Sequence, residues 1–355
     1  MSKYNNNFKL ISLIIVVVIV FIITVAFGAN KHNSVKINAL GVITPMSGPV
    51  ASMGEGIKND IELVDSNLVV KYEDDECDPK KAVSAYNNLK LQNVKVFYVG
   101  CSGSVLALAP LAKQNNDLII TAYAGSAEIR KTGDEVIRFV PDALTVAESM
   151  SEYLSNYKDK KIALFYENQD YAKSLADKLK ETLGVKIAIE EKYSSSDNSY
   201  KTQILKLKNS TADSLILIPV SDKSAKILFK EMKELGLDKF IVGDVNLCDY
   251  SFKPSDFGLS GVCWKAGLNT SGYYSFLKDY KDRFGTDPQY PFYDAITYDS
   301  VYILGSIIKS SSNISVDNIK SQIISGQKGK ISDYSFTQNG EVIGQKYLNM
   351  VQFKP

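Results

Sequence analysis

Histidine is almost missing from this chain: among 355 residues there is one, His32, in a polar stretch just after an apolar N-terminus. A Ser-His-Asp or Cys-His catalytic arrangement in the body of the protein is therefore excluded, and so is a His-rich metal site. Net charge is missing too. The 41 basic and 40 acidic residues leave +1, which gives no electrostatic footprint for nucleic acid. None of the four cysteines stands in a Cys-x-x-Cys pair, so no zinc framework is legible. Gly54-x-Gly56 lacks the Gly-x-Gly-x-x-Gly spacing and sits too far past its strand for a dinucleotide site. With no general-base constellation visible, the sequence predicts neither an enzyme nor a bound cofactor or metal.

What is present is ordinary globular composition, 45% apolar and 23% charged, in a chain longer than one typical domain, so two lobes are predicted. Residues 10 to 27 form an uncharged apolar run. As a helix it would extend about 27 Å, close to the hydrocarbon thickness of a bilayer. Because the run is apolar on every face and lies at the extreme terminus, a membrane segment is expected over a buried core helix. A retained anchor is preferred to a cleaved signal peptide, the alternative, since Ala26-Phe-Gly28 is a poor cleavage site. Lys3 and Lys9 before the run balance Lys31 and Lys36 after it, so orientation does not follow from charge.

From residue 35 onward, short β-rich runs alternate with helix-length amphipathic runs, the mark of parallel βα units. Strands are predicted at Val35 to Thr44, Leu68 to Glu73, Val94 to Val99 and Leu118 to Thr121. Helices are predicted at Gly54 to Asp65, Pro79 to Leu91 and Val105 to Gln114. After Val136 to Val140 the pattern restarts and runs to a strand at Phe240 to Gly243; helices at Gly272 to Phe284 and Phe292 to Ser310 and a strand-rich end follow. Cys77 and Cys101 each fall where a predicted strand gives way to a helix, at the same rim of a parallel sheet. Such turns approach within the roughly 4.4 to 6.8 Å that a disulfide requires, so the pair reads as a staple beside a strand-end cleft. Cys248 and Cys263 form the second candidate pair, with four buried free thiols as the alternative. Paired disulfides would place the body in an oxidising compartment outside the cytoplasm.

The string Cys77-Asp-Pro-Lys-Lys-Ala-Val83, with Cys101-Ser102 placed 24 positions after the first cysteine, resembles the leucine/isoleucine/valine-binding proteins, the type I solute receptors that feed ABC importers. Met46-Ser-Gly-Pro-Val-Ala-Ser-Met-Gly54 and Tyr293-Asp-Ala-Ile-Thr-Tyr298 extend the resemblance over most of the chain after residue 36. It implies an α/β fold of two doubly wound Rossmann-like lobes joined by a hinge of three crossovers. By that analogy residues 1–35 are the anchor or signal segment. Residues 36–142 with 267–330 would form lobe one, and 143–266 with 331–355 lobe two.

The resemblance also implies a ligand site. Met53 falls where relatives place a tryptophan, and offers a softer wall. Ser102, with Ser104, is positioned to cap a helix and to offer a hydroxyl to a carboxylate. Ala124 matches the residue that supplies a backbone carbonyl, and Gly125 replaces a threonine, so one ligand hydrogen bond would pass to Ser126, a backbone group or water. Tyr171 matches the tyrosine that closes over the ligand. Val220 replaces a second aromatic, and Asp244 matches the acidic residue that pairs with the ligand's ammonium. The implied function is an extracytoplasmic receptor, closing on a small amino acid and presenting it to ABC permease subunits and their ATPases. A membrane-anchored sensor or regulatory subunit, or a receptor for a small amide or urea, is the alternative.

Overall fold

Buried strands and amphipathic helices alternate to build two parallel sheets. The structure, a computed structural model, describes residues 37, 39–66, 68–156, 160–183, 186–266, 268, 270–310, 314–343 and 348–355. The first series is β1 (Ala39–Thr44), α1 (Ala51–Leu63), β2 (Val69–Asp74), α2 (Pro79–Lys90), β3 (Val96–Val99), α3 (Ser102–Asn115), β4 (Leu118–Thr121) and β5 (Val136–Arg138). A second series follows: α4 (Ala143–Ser155), β6 (Ile162–Glu167), α5 (Asp170–Leu183), β7 (Ile187–Tyr193), α6 (Lys201–Asn209), β8 (Ser214–Ile218), α7 (Asp222–Glu234), β9 (Phe240–Gly243), α8 (Val245–Asp249) and β10 (Gly261–Ala266). The chain ends with α9 (Ser271–Phe284), α10 (Pro291–Lys309), α11 (Val316–Ile324), β11 (Gln327–Lys328), β12 (Asp333–Tyr334) and β13 (Leu348–Phe353).

The first sheet has the order β2-β1-β3-β4-β5 and is parallel throughout. The second runs β13-β10-β9-β8-β6-β7, parallel except where β13 pairs antiparallel with β10. Strands β3, β4 and β8 are buried at every position, because helices cover both faces, and such strands read as continuous apolar runs instead of alternating ones. Each sheet reverses its strand order once, between β1 and β3 and between β6 and β8. Crevices at such reversals, beyond the carboxyl ends of the strands, are where open α/β sheets bind ligands.

Local chemistry explains the motif at Cys77. Asp78 is the N-cap of α2 and accepts from Lys80 and Lys81 N–H, while Pro79 occupies the first turn, where its missing N–H costs nothing.

The sequence left four elements unread: the short helix α8, the strand β10, the helix α11 and the short strand β11. The chain passes from the first sheet to the second after β5 and back between β10 and α9, which packs with α10 against α1. It re-enters the second sheet as β13. Residues 331–343, expected in lobe two, stay with the first sheet: β12 pairs with β11, and Glu341 bridges to Arg138. The carboxylate of Asp299 on α10 gathers this segment by accepting from Lys330, Ile331 and Ser332 N–H and from the Tyr334 hydroxyl at 2.7 to 3.1 Å. The apolar run 10–27 and His32 lie outside the described residues. Among the described residues no helix is long and apolar enough to cross a membrane.

Candidate functional site

A cleft of about 440 Å³ opens where the two strand-order reversals face each other. Its walls come from the loops after β1 and β3 on one side and after β6 and β8 on the other. Met53, Ser102, Tyr171 and Val220 line it, as do Tyr123, Tyr290 and Tyr293. Gly125 and Asp244 lie against Tyr171 behind this lining, and Ala124 is buried and does not line the cleft.

The disulfides frame it. Cys77 and Cys101 are bonded, with Cα atoms 5.5 Å apart at the ends of the β2 and β3 units, and both face the cleft. Cys248 and Cys263 are bonded too, 5.6 Å apart, tying α8 to β10. Replacing Cys77 and Cys101 together by alanine is expected to lower stability by about 2 to 4 kcal/mol, since the bond closes a loop in the unfolded chain. Urea unfolding of the variant against the parent measures this. Peptide mapping that finds both thiols free in secreted protein would contradict the pairing.

At the first-lobe end of the cleft, α3 begins at Ser102, and its N-cap residue Cys101 supplies no side-chain acceptor. The expected serine caps are replaced by other bonds. Ser102 Oγ accepts from Ser126 N–H at 3.1 Å, and Ser104 Oγ donates to the buried Asp75 carboxylate, which also accepts from Cys77 N–H. Deeper partners claimed these hydroxyls, so the first-turn N–H groups of a 14-residue helix stay available to an anion.

At the second-lobe end, Asp244 is fully buried as the N-cap of α8. One carboxylate oxygen accepts from Leu247 N–H at 3.2 Å; the other has no hydrogen-bond partner among the described residues. Burial pushes this carboxyl up to about 7, against the restraint of Leu247 N–H and the Tyr171 hydroxyl. That hydroxyl is likewise buried without a partner among the described residues, and burial together with the Asp244 charge raises its pKa. The two groups face each other, the hydroxyl favouring the charged carboxylate, and neither it nor this oxygen has any other partner among the described residues, so a ligand donor placed beside them would satisfy both.

The loop carrying Ala124 and Gly125 turns its carbonyls away from the cleft. Ala124 O and Ser126 O accept from Arg138 Nη1 at 3.4 and 2.6 Å, and Gly125 O accepts from Ala143 N–H at 2.8 Å. The Ser126 hydroxyl accepts from Glu128 N–H.

Several residues that build the site escaped the sequence reading. Glu167, at the end of β6, is fully buried and accepts from Val220 and Ser221 N–H and from the Ser224 hydroxyl, so it shapes the loop that carries Val220. Its signal was a carboxylate closing an otherwise apolar strand. Across the cleft, Ser52 donates to Asp222 at 2.7 Å, Ser221 Oγ donates to Pro49 O at 2.8 Å, and the Tyr293 hydroxyl donates to Asn246 at 3.0 Å. These bonds join the lobes in a closed arrangement. Tyr123 stacks on Tyr293 with ring centroids 4.9 Å apart and donates to Asp294, whose carboxyl burial raises to about 6.

A family model described as periplasmic binding protein matches residues 38–327. The chain belongs to the periplasmic binding protein family. The Leu/Ile/Val-binding protein homolog 3 of Brucella melitensis is 26% identical over 264 residues, 69% of either chain. The leucine-, isoleucine-, valine-, threonine- and alanine-binding protein of Pseudomonas aeruginosa is 29% identical over 229 residues, 59% of this chain and 60% of that one. In fold, this periplasmic binding protein is similar to the branched-chain amino acid transporter substrate binding protein of Streptococcus pneumoniae solved with isoleucine. The TM-score is 0.74 at 19% identity, covering 90% of this chain and all of the other. It is accordingly an extracytoplasmic solute-binding protein of the type I fold, not an enzyme.

Proposed function

We propose that the cleft binds a small amino acid as a zwitterion. Its carboxylate sits at the N-terminus of α3 beside Ser102, and its ammonium sits between Asp244 and the Tyr171 hydroxyl. The observation that carries this reading is the buried, unpartnered pair of polar atoms at Tyr171 and Asp244. Met53, Val220 and the tyrosines enclose the side chain. Closure of the lobes, held by bonds such as Ser52 to Asp222, is the form offered to ABC permease subunits and their ATPases. A receptor for a small amide or urea is the second reading, favoured by one fact: with its carboxyl near 7, Asp244 keeps its proton in part at neutral pH.

Proton release separates the two. A carboxyl raised to about 7 is largely neutral below that pH in the empty closed cleft, whereas an ammonium beside it favours the charged form. Binding an amino acid should therefore expel a proton near neutrality. Affinity should fall as pH drops below about 7, by at most about tenfold per unit. Calorimetry at pH 6.5 in buffers of different ionisation enthalpy reads the proton directly. Release supports the amino acid; uptake, or no proton movement, supports a neutral ligand.

A further inference from the structure

Gly125 leaves no room for a side chain. A Cβ built there would stand 2.8 and 2.9 Å from Cδ2 and Cε2 of Tyr171, closer than real Cβ atoms come to a ring. Tyr171 starts α5 in the second lobe and Gly125 follows β4 in the first, so the ring crosses the cleft to lie on the bare Cα. Tyr171 is itself buried, at 8% exposure, and cannot swing aside into solvent without opening that contact.

The same loop has its polar groups already engaged within the protein. All three carbonyls from Ala124 to Ser126 are bonded within the protein, the Ser126 hydroxyl is occupied, and position 125 carries no hydroxyl. Among the buried polar atoms without a hydrogen-bond partner in the described residues, the Tyr171 hydroxyl and one Asp244 oxygen act on each other at the cleft, and both belong to the second lobe. We infer that Gly125 is a positioning residue acting through Tyr171: its missing side chain lets the ring settle on the first lobe, which sets the hydroxyl beside Asp244. The amine subsite is then centred on the second lobe. The carboxylate end belongs to the first lobe, at α3. This rests on the zwitterion reading above and adds a consequence to it. Each lobe holds one end of the ligand, so a molecule lacking either charged end leaves one lobe without its partner and does not favour closure.

The test is a double-mutant cycle in the full-length protein, first without ligand. Gly125→Ala is expected to lower the melting temperature of the parent and to cause no further loss in a Tyr171→Ala background, where the space is free. The Asp244 carboxyl titration, followed by carbon-13 NMR, is expected to move upward in Gly125→Ala as it does in Tyr171→Phe, and the two shifts should not add. A merely structural glycine would leave that titration unmoved. Equal melting losses in both backgrounds, or an unmoved Asp244 titration, overturn the inference. If Gly125→Ala fails to fold in the parent, recovery in the Tyr171→Ala background carries the same conclusion, and failure in both overturns it. The second arm adds a mixture of the twenty amino acids as probe. The stabilisation it gives the parent should shrink in Gly125→Ala. A parent that the mixture does not stabilise contradicts the amino-acid reading, while the ligand-free cycle still decides the role of Gly125.

Discussion

Asp244→Asn is expected to weaken amino-acid binding by about 2 to 5 kcal/mol, the range for truncating one partner of a buried charge pair. The side chain is fully buried and one of its oxygens has no cationic or backbone partner among the described residues, so a ligand ammonium would be its main counter-charge. The neighbouring loop does not share that load, because its carbonyls are bonded elsewhere. With asparagine in place, the ammonium sits desolvated against a neutral amide, and closure strands a charge. Folding should suffer little, because the asparagine oxygen still accepts from Leu247 N–H and keeps the α8 cap. Titration calorimetry of the variant measures the loss. Affinity equal to the parent's would remove Asp244 from the site.

Arg138→Met should destabilise the fold by about 3 to 5 kcal/mol, the cost of removing one member of a buried ionic cluster. The guanidinium has no exposure. It donates to Glu341, reaches Asp142 at 3.5 Å and holds the carbonyls of Ala124 and Ser126. Asp142 lies in the first crossing between the sheets and caps α4 by accepting from Thr145 N–H; Glu341 lies in the segment that leads to the third crossing. One side chain thus ties the loop behind the cleft to two crossings, and its loss leaves two carboxylates and two carbonyls short of a donor. Lysine should not rescue it, since a single ammonium cannot reproduce the planar fork. Urea unfolding that shows a loss under about 1 kcal/mol would mean that water or a shifted neighbour replaces the guanidinium.

The architecture was legible because parallel sheets leave a strong trace: β3, β4 and β8 are apolar at nearly every position, and β3 and β8 are each followed by a helix-length run. β10 escaped because it begins with a glycine and carries Cys263, Trp264 and Lys265 in no clear period. Its identity as a strand comes from pairing with β9 and β13, which is distant in sequence. The cleft residues Met53, Ser102, Tyr171 and Val220 were reached through motif matching, and they do meet at one site. The missing hydroxyl at Gly125 was equally visible. The ring that fills its place was not, since that contact joins residues 125 and 171 across the cleft. Buried organisers such as Glu167 and Arg138 were illegible for the same reason. A charged residue in sequence reads as surface, and only its tertiary partners make burial affordable.

The most direct measurement of the central claim is a thermal-melting panel of the full-length protein against each of the twenty amino acids and their desamino acids, with urea and short amides included. A ligand present at 100 times its dissociation constant stabilises the bound form by about 2.7 kcal/mol, well above the noise of such a panel. At least one amino acid should raise the melting temperature while its desamino counterpart does not, and the gain should be lost in Asp244→Asn. A panel in which no amino acid stabilises the protein, or in which the best ligand lacks an amino group, would contradict that claim.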